Sequence, residues 1–305
     1  MGPRHLALLA AVSLSTAFVS QEIQVRPRLV AGDEFRLEVT RSRDDSSRPQ
    51  MNFSMRTPVD VRVVSAKADG FVIDWHPGEG TFEAAEAMSD PTLAMANEIL
   101  GDLKFRIALD ADGAFERVAN ETEILPKLQA MIDLVIREQV GTMEPAAAKR
   151  AEELVRQILS PANLLGIATR DAQAYVSMYG AELAVGDAVE VPVSQPSPFG
   201  PDPLPAVLKV RMVSASPQSA TLTSTVTYDG EALKKMTVAL ISRAAVKPPP
   251  DELAKFKLEL TEDSKYVFDR KTGLFTEVTN DRRISSGEMR RLERCVIKLV
   301  TAPKR

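Results

Sequence analysis

The residues able to do acid–base, nucleophilic or metal chemistry in this 305-residue chain are few and poorly grouped. Two histidines occur, His5 and His76. His5 lies in a stretch with the pattern of an export leader, so removal of that leader leaves His76 alone. A serine hydrolase needs a Gly-x-Ser-x-Gly elbow or a histidine base. No such elbow is present, and His76 falls in Trp75-His76-Pro77-Gly78, which reads as an exposed turn. A histidine metal site requires two or more imidazoles. The single cysteine, Cys295, rules out an intrachain disulfide and a zinc site built from cysteines. It sits in the alternating run RCVIKLV and reads as a small buried hydrophobe. A reactive thiol needs a basic, partly exposed setting, and the adjacent Arg294 would point to the opposite face of a strand. Neither a Ser-x-x-Lys pair nor a Gly-x-x-x-x-Gly-Lys phosphate loop occurs. The reading is therefore of no catalytic residue, no metal and no cofactor.

Carboxylates are the exception, because they are abundant. Asp110-Ala111-Asp112-Gly113 resembles the start of a calcium loop, but an EF-hand needs its glycine at loop position six and here glycine comes fourth. The turn that matches it, Asp269-Arg270-Lys271-Thr272-Gly273, is not acidic enough. The 42 acidic residues offer many pairs for glycosidase-type chemistry, and nothing singles one out. An exported hydrolase using carboxylates stays as an alternative. The formal net charge of −4 gives no general attraction to nucleic acid.

The two turns belong to a repeated hairpin. FRIALDADGAFERVAN (105–120) and KYVFDRKTGLFTEVTN (265–280) each read as two strands joined through glycine. Ahead of each copy come a Gly-Asp opening (Gly32-Asp33 and Gly186-Asp187), a matching strand (VDVRVVSA, 59–66, and VLKVRMVSA, 207–215) and a further strand. The order predicts an internal duplication. The first half also carries helices. Ile124, Leu125, Leu128, Met131, Ile132, Val135 and Ile136 recur at three- and four-residue spacing, predicting a helix over 122–139. Further helices are expected over 90–100, over 144–159 and, capped by Ser160-Pro161, to about residue 171. MTVALISRA (236–244) is expected to be a strand, as are 274–284 and 292–301, and 247–251 a proline-rich connector.

Residues 1–20 carry Arg4, an apolar run to Phe18, and small residues at Ser15 and Ala17 for cleavage. The run is short of the roughly 20 apolar residues of a membrane span. No cysteine follows it to accept a lipid. Apolar content of 44% with 26% charge is that of a folded soluble protein. The domain reading is a signal peptide at 1–20, an N-terminal sheet with helices at 21–172, and an antiparallel β half at 173–305. The expected class is α+β: curved antiparallel sheets forming an internally duplicated meander, with amphipathic helices packed on one face.

The segment FRIALDADGAFERVANETEILPKL, the opening VGDAVEVP (185–192) and YVFDRKTGLF (266–275) resemble a family of exported bacterial proteins grouped only as a domain of unknown function. The resemblance implies a β-rich periplasmic or lipoprotein-type protein and brings no catalytic residues with it. This chain lacks the lipobox cysteine that the pattern implies. Curved sheets around a helical pair can enclose an apolar cleft. Phe115, Leu128, Met131 and Val135 are the residues expected to line one. The expected partner is an apolar ligand or a protein of the envelope, with no nucleic acid and no membrane span after leader removal. A purely structural envelope protein is the third reading.

Overall fold

A computed structural model describes residues 22–83, 101–140, 143–158, 160–195, 203–243 and 257–303. The leader, the helix expected over 90–100 and the 247–251 connector lie outside the described residues.

Strand formation follows period-two patterning. In β2 (Glu34–Asp45), Phe35, Leu37 and Val39 are buried while Glu34 and Arg36 face solvent. The same alternation builds β3 (Phe53–Lys67), whereas β4 (Gly70–Pro77) buries Ile73, Asp74 and Trp75 in succession. The first hairpin is β6 (Phe105–Leu109) with β7 (Phe115–Val118). In the second half come β9 (Ala188–Gln195), β10 (Leu204–Ala215), β11 (Ser219–Tyr228), β12 (Glu259–Asp269), β13 (Leu274–Ser286) and β14 (Met289–Thr301). Both halves lie in one antiparallel sheet of order β7-β6-β4-β3-β2-β14-β13-β12-β11-β10-β9, with the short β5 (Thr81–Phe82) paired to β3. Two further short strands, β1 (Ile23–Gln24) and β8 (Glu182–Leu183), pair only with each other. Edge strand β9 carries Pro192, which offers no N–H to an added strand.

Helices α1 (Glu121–Val140) and α2 (Pro145–Ile158) fall where the apolar stripes placed them. The third expected helix is broken into α3 (Pro161–Ala168) and α4 (Arg170–Val176) at the buried Thr169, whose hydroxyl donates to the Leu165 carbonyl at 2.8 Å. One expectation fails outright. Residues 236–243 are not a strand but the second half of helix α5 (Gly230–Arg243). The Asp229 carboxylate accepts the Ala232 N–H at 2.7 Å, capping the helix. Leu233 then inserts beside Leu204 and Leu260. This nucleus carries the helix through Thr237-Val238, whose β preference is the weaker influence.

The centre of the core is aromatic, although aromatics make up only 5% of the chain. The Tyr175 ring from α4 meets Phe35, Trp75 and Phe275 at centroid distances of 6.5, 6.1 and 5.9 Å. Tyr179 stacks 4.9 Å from Phe275. Their hydroxyls donate to the backbone carbonyls of Phe275 (2.9 Å) and Gly273 (3.0 Å), which satisfies both buried polar tips.

Across this centre runs an extended segment, residues 22–30, with Ile23, Val25, Pro27 and Leu29 buried. It passes over both hairpin turns. At Gly113 (φ +92°) an added methyl would lie 2.7 Å from Pro27 Cδ. At Gly273 (φ +71°) it would lie 2.8 Å from Arg28 Cγ and closer still to the Arg28 nitrogen. In a flat sheet these turns would be six strand spacings apart, roughly 29 Å. Their contact with consecutive residues requires the sheet to curl back on itself. Gly273→Ala therefore meets both left-handed strain and backbone overlap, and we expect a loss of roughly 3 kcal/mol. Gly32→Ala has the strain (φ +91°) but open space, and should lose only about 1 kcal/mol; urea unfolding of the two variants makes the comparison.

Candidate functional site

The four residues expected to line an apolar cleft are placed in and against the core. Leu128 is 0% and Met131 6% exposed, both inside the main hydrophobic cluster together with Phe105 and Ile107. Phe115 is half-buried and packs against that cluster. Val135 is half-buried on α1. Neither of the two cavities described next is lined by any of the four.

The larger cavity is an open concavity of about 730 Å³ on the outer face of the sheet, which carries Glu34, Arg36, Asp60 and Arg62. Its floor is a charge lattice set by strand register. Glu34, Arg62, Asp74 and Arg106 stand in a row across β2, β3, β4 and β6. Arg36, Asp60 and His76 form the next row. Arg36 grips Asp60 with two hydrogen bonds, 2.7 and 3.1 Å. Asp74, 4% exposed, accepts from Arg106 Nε at 2.9 Å and pairs with Lys104 Nζ at 2.9 Å. Burial alone pushes the Asp74 pKa up, but these two cations outweigh it and the net shift is downward. The Arg36 hydrogen bond likewise lowers Asp60. His76, expected in a turn, is the penultimate residue of β4 and stands exposed opposite Asp60.

The smaller cavity, about 80 Å³, lies between Trp75, Phe105 and Ile167, with Arg41 and Asp171 at its edge. Its size suits one small side chain. Beside it Arg41 donates to both Asp171 oxygens (3.3 and 2.6 Å), and the Cys295 thiol lies 3.6 Å from Asp171 Oδ1. Burial, then the Asp171 charge, push the thiol pKa well up, which disfavours the thiolate. Arg294 faces the other way and pairs with Asp281 at 2.7 and 2.8 Å. Below Arg41 the inner face carries a second charge row, Arg43, Glu293, Arg282 and Glu262, with contacts of 3.4–3.8 Å. The polar environment of Cys295 was not foreseen, because Asp171 is far away in sequence. The inner row had a visible signal: Arg41, Arg43 and Asp45 continue the parity of Phe35, Leu37 and Val39.

The Asp-Ala-Asp-Gly turn uses its acids locally. Asp110 Oδ1 accepts the N–H groups of Asp112 and Ala114, both at 2.9 Å, and Asp112 pairs with Arg26 at 2.9 Å. Asp269 accepts the Lys271 N–H and the Thr272 hydroxyl in the same manner. Among the described residues no group of three or more His, Cys, Asp or Glu side chains is arranged to hold a metal ion. Each carboxyl there with a distinct pKa shift is shifted downward, the wrong direction for a general acid.

Comparison with known protein families finds no family model that matches the chain, and no curated protein matches it. Two outcomes follow from the placements. Leu128→Ala should cost about 3 kcal/mol in urea unfolding with no ligand present, because it opens a cavity in a filled core. Asp60 and Asp74 have folded pKa values below their unfolded ones. Their stabilisation is complete above about pH 4 and is lost as pH falls through the folded values. Asp74→Asn should lower stability at pH 7 by about 2 kcal/mol and flatten the acid limb of a melting-temperature profile, since charged hydrogen bonds are lost there.

Proposed function

We propose that this is an exported, non-catalytic protein of the bacterial envelope that binds a protein partner on the charged outer face of its sheet. One observation carries the reading. The open concavity of about 730 Å³ lies on the charge lattice outside, whereas Tyr175, Tyr179 and the 22–30 segment fill the centre of the core. An acyl chain would need an apolar cleft; the apolar recess at Trp75 holds only about 80 Å³. A polar, charge-alternating surface instead selects a partner by complementary charge. Export to the periplasm or the exterior rests on the pattern of residues 1–20, and no described helix is long and apolar enough to cross a membrane.

The same reading treats the chain as two related halves, 21–172 and 173–305, behind a leader at 1–20. Several local details support it. Gly32 donates to the Val63 carbonyl and Gly186 to that of Met212. Asp33 and Asp187 each accept a backbone N–H three residues upstream. A bulge falls between Val63 and Ser65 in β3 and between Met212 and Ser214 in β10. Among the described residues after 176 the second half carries one helix, α5, and we read α1 and α2 as packed on the inner face of the first.

The test is native mass spectrometry, with lipid extraction, of protein purified from its own host. We expect the mass of the bare polypeptide after denaturing extraction and no lipid. A photo-crosslinking residue at Arg62 should yield a discrete protein adduct in the intact envelope, and one at Lys265, far along the sheet, should not. Co-purified lipid, or no adduct at position 62, overturns the proposal.

A further inference from the structure

Residues 22–30 are held differently from the rest of the sheet. Their ladder is short: Ile23 and Gln24 pair with Leu183 and Glu182, Val25 donates to Ala181 at 2.9 Å, and Gly180 donates to Val25 at 2.8 Å. Further hold comes from apolar burial of Ile23, Val25, Pro27 and Leu29, from the Gln24 amide donating to Glu182 at 2.9 Å, and from the Arg26–Asp112 ion pair at 2.9 Å. The segment joins β2 only through the exposed turn at 30–32. Yet it bridges the two hairpin turns, with Pro27 seated on Gly113 and Arg28 on Gly273, where no side chain fits beneath it. Those hairpins belong to strands that are not hydrogen-bonded to each other: β7 is a sheet edge, and β13 pairs with β12 and β14.

We infer that residues 22–30 are a separable latch: they occupy a groove that accepts an extended peptide with apolar residues at every second position, and their presence keeps the two hairpin turns together. The groove is specific in three ways. Its walls at Gly113 and Gly273 are backbone, so the occupant lies closer than side chains would allow. Asp112 asks for a basic residue just before the proline. The 180–182 edge supplies backbone partners to one end of the occupant. The native occupant is the chain's own N-terminal segment. When it leaves, the apolar cluster into which Ile23, Val25 and Leu29 pack loses that cover and opens to solvent. The inference stands on the fold and is independent of the partner reading above.

The test begins with the full chain folded and a protease site inserted in the 30–32 turn. After cutting, the nicked protein is incubated with a labelled synthetic peptide of residues 22–30. We expect the original segment to exchange with the peptide at one per chain. Between loss and replacement, fluorescence of an apolar dye should rise and then return to baseline. A peptide carrying Val25→Asp should bind at least about tenfold more weakly, because it buries a charge. Should the insertion hinder folding, the same exchange is measured on chain 31–305 refolded with the peptide present. The inference is overturned if the cut protein neither releases its segment nor takes up peptide. It is equally overturned if the segment leaves with no change in dye binding or in the melting temperature.

Discussion

The structure depends on a close approach: the 22–30 segment crosses two glycine turns with no room for a Cβ at either. Gly113 and Gly273 come from hairpins six strand spacings apart, so their contacts with the consecutive residues Pro27 and Arg28 force the sheet to curl. Once curled, the sheet has an inside. Its volume is taken by Tyr175 and Tyr179, whose hydroxyls bond to the backbone around Gly273. The aromatics that the composition makes scarce are thus spent where several strands converge: Tyr175 meets three other rings, Tyr179 two and Phe275 four.

The outer face shows what register does to charge. In an antiparallel sheet, residues directly opposite are near neighbours, so opposite charges in cross-strand rows support one another and like charges penalise a wrong pairing. Each exposed pair contributes little by itself. Asp74 differs because it is buried and shared between Arg106 and Lys104, so its charge is retained against desolvation. On this face opposite charges alternate across β2, β3, β4 and β6.

Much of the fold was legible from period alone. Phe35-Leu37-Val39, the α1 stripe and the two hairpins were readable because local pattern and tertiary environment agree. The strand expected over 236–244 failed because a cap at Asp229 and the burial of Leu233 act from the first turn of the helix, upstream of the residues that looked β-like. The candidate site was less legible. Leu128 and Met131 form an apolar stripe whether they line a cleft or fill a core, and periodicity cannot tell the two apart. What separates them is the chain that covers the stripe, and those contacts are remote in sequence. The rows on the outer face were hidden for the same reason, since each joins residues that only strand pairing makes adjacent.

The inner charge row has a role that burial energetics would not suggest. Arg43, Glu293, Arg282 and Glu262 are poorly placed for stability: their contacts are long, and two of their Nε groups, on Arg43 and Arg282, are buried without a hydrogen-bond partner. They lie, however, at the junction where β2 meets β14, the seam between the two halves. A one-residue slip there would turn Leu37 and Val39 outward. A two-residue slip preserves the faces, so burial alone does not forbid it. Charge does: one direction sets Arg43 against Arg291, and the other sets Asp45 against Glu293. Only the observed register gives Arg43 opposite Glu293 and Asp45 opposite Arg291, with Arg291 Nε donating to Asp45 at 3.0 Å. The curl needs the two hairpin turns to arrive at the same segment, and a seam shifted by two residues, roughly 7 Å, would carry Gly273 away from Arg28. The costly inner row therefore fixes the register on which the contact at the two glycines relies.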